Sequence, residues 1–98
     1  MQAVEFDWDP HKASDSLRKH GVSFEEATSV FGDIFGVTAA DPDHSRDESR
    51  LVTVGVSNRN RLLLVSPAER DGRLRLISAR ELTRKERNAY ETTRHESA

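Results

Sequence analysis

Two hydrophobic periodicities divide the chain. Between residues 10 and 32 apolar side chains recur at helical spacing, with Phe24, Ala27, Val30 and Phe31 on one stripe; from residue 34 to 79 they alternate with polar ones or form short Val/Leu/Ile runs. The expected elements are a strand at 4–7, helices at 10–20 and 24–32, strands at 34–40, 51–57, 61–66 and 73–79, and a helix at 83–93. Punctuation supports each boundary. Asp9-Pro10 is an N-cap followed by proline at the first helical position, and Gly21 supplies a left-handed stop. Ser23 with Glu26, and Thr83 with Glu86, have capping-box spacing. Residues 41–44 read as a turn, and Asp71-Gly72 is a two-residue hairpin signal. The order β-α-α-β-β-β-β-α predicts a small single α+β domain over residues 1–98, an antiparallel sheet with two N-terminal helices and a C-terminal one.

The Asp71-Gly72 turn also predicts a register. It pairs Arg70 with Arg73, Val65 with Ser78 and Leu63 with Arg80, so Arg61, Leu63, Val65, Leu74, Leu76 and Arg80 share a face. An even-length loop across residues 58–61 adds Arg50, Val52, Val54 and Val56 to it; an odd one would add Thr53 and Gly55. The even loop collects more apolar surface and is the expected one. It sets Arg61 and Arg80 side by side at one end of the face and Arg50 at the other, roughly 20 Å away at about 3.3 Å per residue. Pro67 breaks this regularity, because it has no N–H to give a central strand, and predicts a bulge or an early strand end.

Charge alters the picture more than composition does. The net charge is −2, yet residues 1–49 carry 4 Lys/Arg against 11 Asp/Glu and residues 50–98 carry 11 against 6, or −7 and +5. A basic second half suits a phosphate-facing surface, and a solvated charged face gives the same count. With 33% charged and 35% apolar residues the chain should fold as one core. No apolar run approaches the roughly 18 residues of a membrane span, the N-terminus lacks signal-peptide character, and the absence of cysteine excludes disulfides and thiolate zinc sites. The expected location is cytoplasmic.

Candidate chemistry concentrates at Lys19-His20, in the corner where the first helix meets the second. Histidine, with an unperturbed pKa of about 6.5, serves as acid or base near neutrality, and lysine beside it would hold a phosphate; the same pair also suits the free carbonyls of a helix C-terminus. Arg61 with Arg80 offers guanidinium forks for phosphate, or stems packed over the core. Glu48 and Arg50 form a second acid/base and clamp set, or an exposed ion pair. Asp41, Asp43, Ser45 and Asp47 alternate as in a calcium loop, but Arg46 occupies the glycine position and Val52 that of the bidentate Glu, so no metal or other cofactor is expected.

Several ordered motifs carry a resemblance. Phe6-x-Trp8-Asp9-x-x-Lys12-Ala13, Lys19-His20-Gly21-Val22-Ser23-Phe24-x-Glu26-Ala27, Glu48-x-Arg50-x-x-x-Gly55, Arg75-x-Ile77-Ser78-Ala79-Arg80 and Thr83-x-x-Glu86-Arg87-x-x-Tyr90 together resemble the BrnT toxin family over nearly the whole chain. The resemblance implies a RelE-like fold and a metal-independent ribonuclease that arrests growth, belonging to a bacterial type II toxin–antitoxin system. Its implied partners are RNA and a BrnA-like ribbon-helix-helix antitoxin, through which alone it would reach operator DNA. Lys19, His20, Glu48, Arg50 and Arg80 are the implied catalytic positions, and Arg61, Arg75 and Arg84 further cations along the RNA. Two residues depart from the pattern: Ser16 stands where Asn is expected, and Pro67 where an aromatic or His is usual. The rival readings are a non-catalytic RNA- or protein-binding module and a metal hydrolase built on residues 41–48.

Overall fold

A computed structural model describes residues 4–44 and 49–97, and the side chains of these except at 44 and 93–97. The elements follow the predicted order: β1 (Glu5–Trp8), α1 (Pro10–His20), α2 (Phe24–Ser29) continued by a 3-10 turn (Val30–Gly32), β2 (Val37–Ala40), β3 (Leu51–Val56), β4 (Leu62–Arg70), β5 (Arg73–Glu81) and α3 (Arg84–Ser97). The strands form one sheet in the order β1-β5-β4-β3-β2. All neighbours are antiparallel except β1, which adds parallel to β5 with Trp8 opposite Leu76; among the described residues no strand covers the rest of that edge. Among the described residues no helix is long and apolar enough to cross a membrane.

Local chemistry explains the ends of each element. Asp9 accepts the His11 N–H at 2.7 Å, and Gly21 closes α1 at φ 69°, donating to the Leu17 carbonyl. Asp71 and Gly72 adopt φ of 54° and 77°, the conformation of a two-residue hairpin. Thr83 and Glu86 form a complete capping box, each side chain accepting the other's N–H. Ser23 and Glu26 form half of one. Ser23 accepts the Glu26 N–H, but the Glu26 side chain turns inward instead.

α1, α2 and the 3-10 turn cover one face of the sheet. Val22, Phe24, Ala27 and Val30 meet Leu63, Val65, Leu76 and Ala79 there, all fully buried, and Trp8 packs edge-on against Phe24 with ring centroids 5.8 Å apart. Burying each of these larger side chains contributes about 1.5–3 kcal/mol. Ser16 is buried between the helix corner and β5, with its hydroxyl 3.0 Å from the Ala79 carbonyl and 3.2 Å from that of Val22.

Pro67 sits fully buried in the central strand, and both its neighbours register it. On the β3 side the ladder stops at Thr53–Val65 and resumes only with the Arg50–Ala68 bridge, as expected where a strand offers no N–H. On the β5 side the register shifts between Ser66 and Pro67: Ser66 faces Ser78 while Pro67 faces Leu76, leaving Ile77 as the extra residue of a bulge.

That bulge and the β3–β4 loop overturn the expected register. Arg70 does pair with Arg73, but Val65 faces Ala79 and Leu63 faces Glu81. The β3–β4 loop is odd, closed by the Ser57 N–H to the Arg61 carbonyl with Asn60 at φ 61°, so Thr53 and Gly55 face the helices. The physical reason lies at Gly55. A Cβ there would come 3.0 Å from Val30 Cγ1 and 3.2 Å from an Asp33 carboxylate oxygen, so the 3-10 turn can approach β3 only at a glycine. Val52, Val54, Val56, Leu62 and Leu64 consequently lie on the opposite, half-buried face, as does Arg80, which pairs with Leu64. Arg61 and Arg80 are on different faces, not side by side.

Candidate active site

The last two turns of α1 stand beside the β5 edge that β1 leaves uncovered. Between them lies a cleft of about 190 Å³ lined by Lys12, Asp15, Lys19, His20, Ile77 and Ser78, with Ser16 at its base. Two features shape it. The bulge at Ile77 and the exposed Ser78 next to it lie at this edge, and Lys12 and Lys19, seven residues apart, fall on one stripe of α1 two turns from each other. Lys19 and His20, both exposed, are thus brought together with a second lysine and a hydroxyl. Lys12 and Ser78 are motif positions to which the sequence assigns no site role; the i, i+7 spacing of the lysines is the available signal for the first, and only the bulge marks the second.

The remaining expected positions fall elsewhere. Arg75 and Arg80 flank Ser78 on β5 and point to the face away from α1 and α2, each engaged by a carboxylate. Arg75 lies 3.4 Å from Asp7. Arg80 grips Glu86 with both terminal guanidinium nitrogens at 2.7 and 2.9 Å. Together with the Thr83 N–H this fork holds the Glu86 carboxyl well below the ordinary range, at about 2, and raises Arg80 in turn. Arg84 is exposed on the first turn of α3. Arg50 shares the face of Arg80 but lies four residues along β3 from the Val54–Leu64–Arg80 row. The two are about 13 Å apart along the strands and two spacings of about 4.8 Å across. Glu48 lies outside the described residues, as do Ser45, Arg46 and Asp47 of the calcium-like loop.

Arg61 is the centre of a different assembly. Its Nε and one terminal nitrogen reach the Glu26 carboxylate, the same terminal nitrogen donates to the Gly21 carbonyl at 2.9 Å, and Glu81 stands 3.8 Å away. Ser57 adds a hydroxyl to Glu26 at 2.7 Å. Glu26 is only 3% exposed, and the Arg61 guanidinium beside it, followed by the Ser57 hydroxyl, holds its carboxyl below the usual range against the cost of burial. This network fixes the backbone immediately after His20 to the β3–β4 hairpin. It positions the corner and uses much of Arg61's donor capacity in doing so. Glu26 was read from the sequence only as a helix cap.

The depressed carboxylates of Glu26 and Glu86 give stability an acid limb. Each Glu has a folded-state pKa below its unfolded value of about 4.3, so its contribution is complete above that value and is lost as pH falls toward the folded one, about 2 for Glu86. The melting temperature should hold between pH 7 and 5 and drop between about pH 4.5 and 2, and Glu86→Gln should flatten part of that drop. Circular dichroism melts at pH 7, 5 and 3 test it; an acid limb identical in Glu86→Gln would show that the Arg80 fork contributes nothing to it.

The cleft can hold an anion between lysines with a proton carrier beside it. Among the described residues no three His, Asp or Glu side chains are grouped so as to hold a metal ion. A second cleft of about 360 Å³ under α3 has Arg61 and Arg87 balanced by Glu81 and Glu91, and so has no net preference for phosphate.

No curated protein sequence matches the chain. Its fold is similar to that in the 1.1 Å crystal structure of the Brucella abortus ribonuclease toxin BrnT, with TM-score 0.66 and 19% identity over 84% of this chain and 100% of that one. The model of the family described as the ribonuclease toxin BrnT of type II toxin–antitoxin systems matches residues 8–86, from the end of β1 to the cap of α3. With most of its length matched, including the cleft between α1 and β5, the chain belongs to the BrnT family of ribonuclease toxins.

Proposed function

We propose that the chain is a metal-independent endoribonuclease whose activity arrests bacterial growth in the cytoplasm, and that a BrnA-like ribbon-helix-helix antitoxin neutralises it. The observation that carries the reading is the α1–β5 cleft, where His20 stands with Lys12 and Lys19 over an exposed strand edge. RNA cleavage without a metal needs a base to take the 2′-OH proton and cations to hold the phosphate as charge builds. It also needs an acid to protonate the departing 5′-oxygen. Attack of the 2′-oxygen on phosphorus breaks the P–O5′ bond and leaves a 2′,3′-cyclic phosphate. In the cleft His20 serves as one proton carrier, and Lys12 and Lys19 hold the phosphate. Arg75 and Arg80, on either side of Ser78, would meet flanking phosphates of a strand crossing β5, with Arg80 acting mainly through its hold on α3. Glu48 is the candidate for the second proton carrier, and Arg50, at the other end of that face, is a further cation for phosphate. Arg61 acts by fixing the corner, and Arg84 by adding charge to the RNA path. Operator DNA is reached only through the antitoxin.

Expression without the antitoxin should slow growth and degrade bulk RNA, and the purified chain should cleave RNA in excess EDTA. Cleavage abolished by EDTA and restored by magnesium would overturn the metal-free mechanism and direct attention to Asp41, Asp43, Asp47 and Glu48. Intact RNA with retained RNA binding would leave the non-catalytic binding module.

A further inference from the structure

The second-half arginines leave the opposite edge of the sheet with a contrasting chemistry. β2 is the terminal strand, and among the described residues no other strand pairs with its outer side. All four of its residues, Val37 to Ala40, are exposed, and the turn before it adds Ile34 at 88% and Phe35 at 58% exposure. Natural edge strands are usually blunted by lysine, proline, a bulge or a covering segment. None of the first three occurs in Val-Thr-Ala-Ala.

The direction of the unpaired backbone groups follows from one hydrogen bond. The Asp41 N–H donates to the Arg50 carbonyl, so in an antiparallel ladder the N–H and C=O of Val37 and Ala39 also turn toward β3, and those of Thr38 and Ala40 turn outward. A second chain laid along this edge would find those donors and acceptors in strand register, with Val37 and Ile34 as apolar contacts.

Charge identifies the class of occupant. Between Lys19 and Arg46 the sequence has Glu25, Glu26, Asp33, Asp41 and Asp43 and no Lys or Arg. Glu26 is internally paired, but Asp33 and Asp43 flank β2 on its two sides with no Lys or Arg between them, an acidic stretch that repels RNA phosphate and attracts a basic polypeptide. Membership of a type II toxin–antitoxin family implies a protein antitoxin as partner.

We propose that the outer edge of β2, with Ile34 and Val37, is an antitoxin-docking surface, which takes an extended antitoxin segment bearing Lys/Arg and alternate apolar side chains as a sixth strand. The inference rests on the toxin–antitoxin reading and adds the surface and the mode, strand addition. The antitoxin would then be anchored on the edge farthest in the sheet from the β5 cleft, and its remaining length would decide whether it also covers the cleft.

Two substitutions test this without touching the cleft. Ala40→Pro removes one outward N–H and leaves the bonds of Val37, Ala39 and Asp41 to β3; Val37→Lys puts a charge in the apolar contact and repels a basic segment. The probe is the protein encoded by the reading frame adjoining the gene, titrated against toxin whose fold is verified by circular dichroism. Ala40→Pro should weaken binding about 10-fold and Val37→Lys about 30-fold or more, with free-toxin cleavage of RNA unchanged. Wild-type affinity in both folded variants overturns the surface while leaving the antitoxin reading in place. No complex even with the wild-type chain removes both. Two other results also overturn the proposal: a wild-type chain that dimerises alone and becomes monomeric as Val37→Lys, which makes the occupant a second copy, and variants that lose RNA affinity but not antitoxin affinity.

Discussion

Glu26→Ala should destabilise the fold by about 3–5 kcal/mol, the usual cost of removing one partner from a buried ion pair. For a domain of this size that is a fifth or more of a total stability of about 5–15 kcal/mol. The carboxylate is 3% exposed and accepts from Arg61 and Ser57, so its loss leaves a half-buried guanidinium and a buried hydroxyl without their shared acceptor. It also detaches Arg61 from the position in which it holds the Gly21 carbonyl and faces Glu81, and so loosens the α1–α2 corner, the β3–β4 hairpin and the end of β5 together. Glu26→Gln keeps an acceptor without the charge and should lose less. The double variant Glu26→Leu/Arg61→Leu should recover much of the single-variant loss, because no buried charge is then left alone. Urea unfolding measures all of these, and a Glu26→Ala loss below about 1 kcal/mol would show that water or rearrangement satisfies Arg61 and that the network does not hold the corner.

The path of the chain was readable because each boundary is written in short-range chemistry. Asp9-Pro10, Gly21, Thr83-x-x-Glu86 and Asp71-Gly72 act within a few residues of themselves, and each does in the structure what its residue types require. Pro67 was equally legible: a proline in a central strand has to interrupt something, and here it interrupts the β3 ladder beside a shifted β5 register. Which face of β3 turns inward was not readable in this way. Both faces of β3 and β4 are largely apolar, so choosing the face with more valine selects Val52, Val54 and Val56, whereas the helix layer needs a glycine to come close. Thr53 and Gly55 make a thinner face than the valines do, and the approach of the 3-10 turn to β3 is what fixes the parity.

The site divides along the same line. Lys19 and His20 are visible because the helix end that exposes them is a local feature. Lys12 joins them by helical spacing, but the cleft is completed by Ile77 and Ser78, nearly sixty residues later, at the bulge in β5. Glu26 was hidden by a local pattern that explains it sufficiently: a Glu three residues after Ser reads as a cap, and nothing nearby announces Arg61, 35 residues on. The expected Arg61–Arg80 pair failed because a one-residue bulge reverses the face of every residue beyond it. Its two members hold separate carboxylates instead, Glu26 at the helix corner and Glu86 at the start of α3.

His20→Ala should lower the single-turnover rate of RNA cleavage by about 10²–10⁴-fold, the range for loss of a positioned general acid or base, while changing RNA affinity little. The neighbouring lysines should behave in the opposite way. Lys12→Ala and Lys19→Ala each remove one phosphate contact, so each should weaken binding and reduce the salt slope of single-stranded RNA affinity by about 0.7. Fold is not at issue in these comparisons, because all three side chains are exposed and the corner behind them is held by Arg61 and Ser16. Measuring affinity and single-turnover rate on the same folded variants therefore separates the proton carrier from the cations. A His20→Ala chain that cleaves at the wild-type rate would place the acid/base chemistry outside the α1–β5 cleft. The next variants would then be Glu48→Gln and Arg50→Ala, the second because Arg50 stands on the same side of the sheet as Arg75 and Arg80, where a strand of RNA could still reach all three.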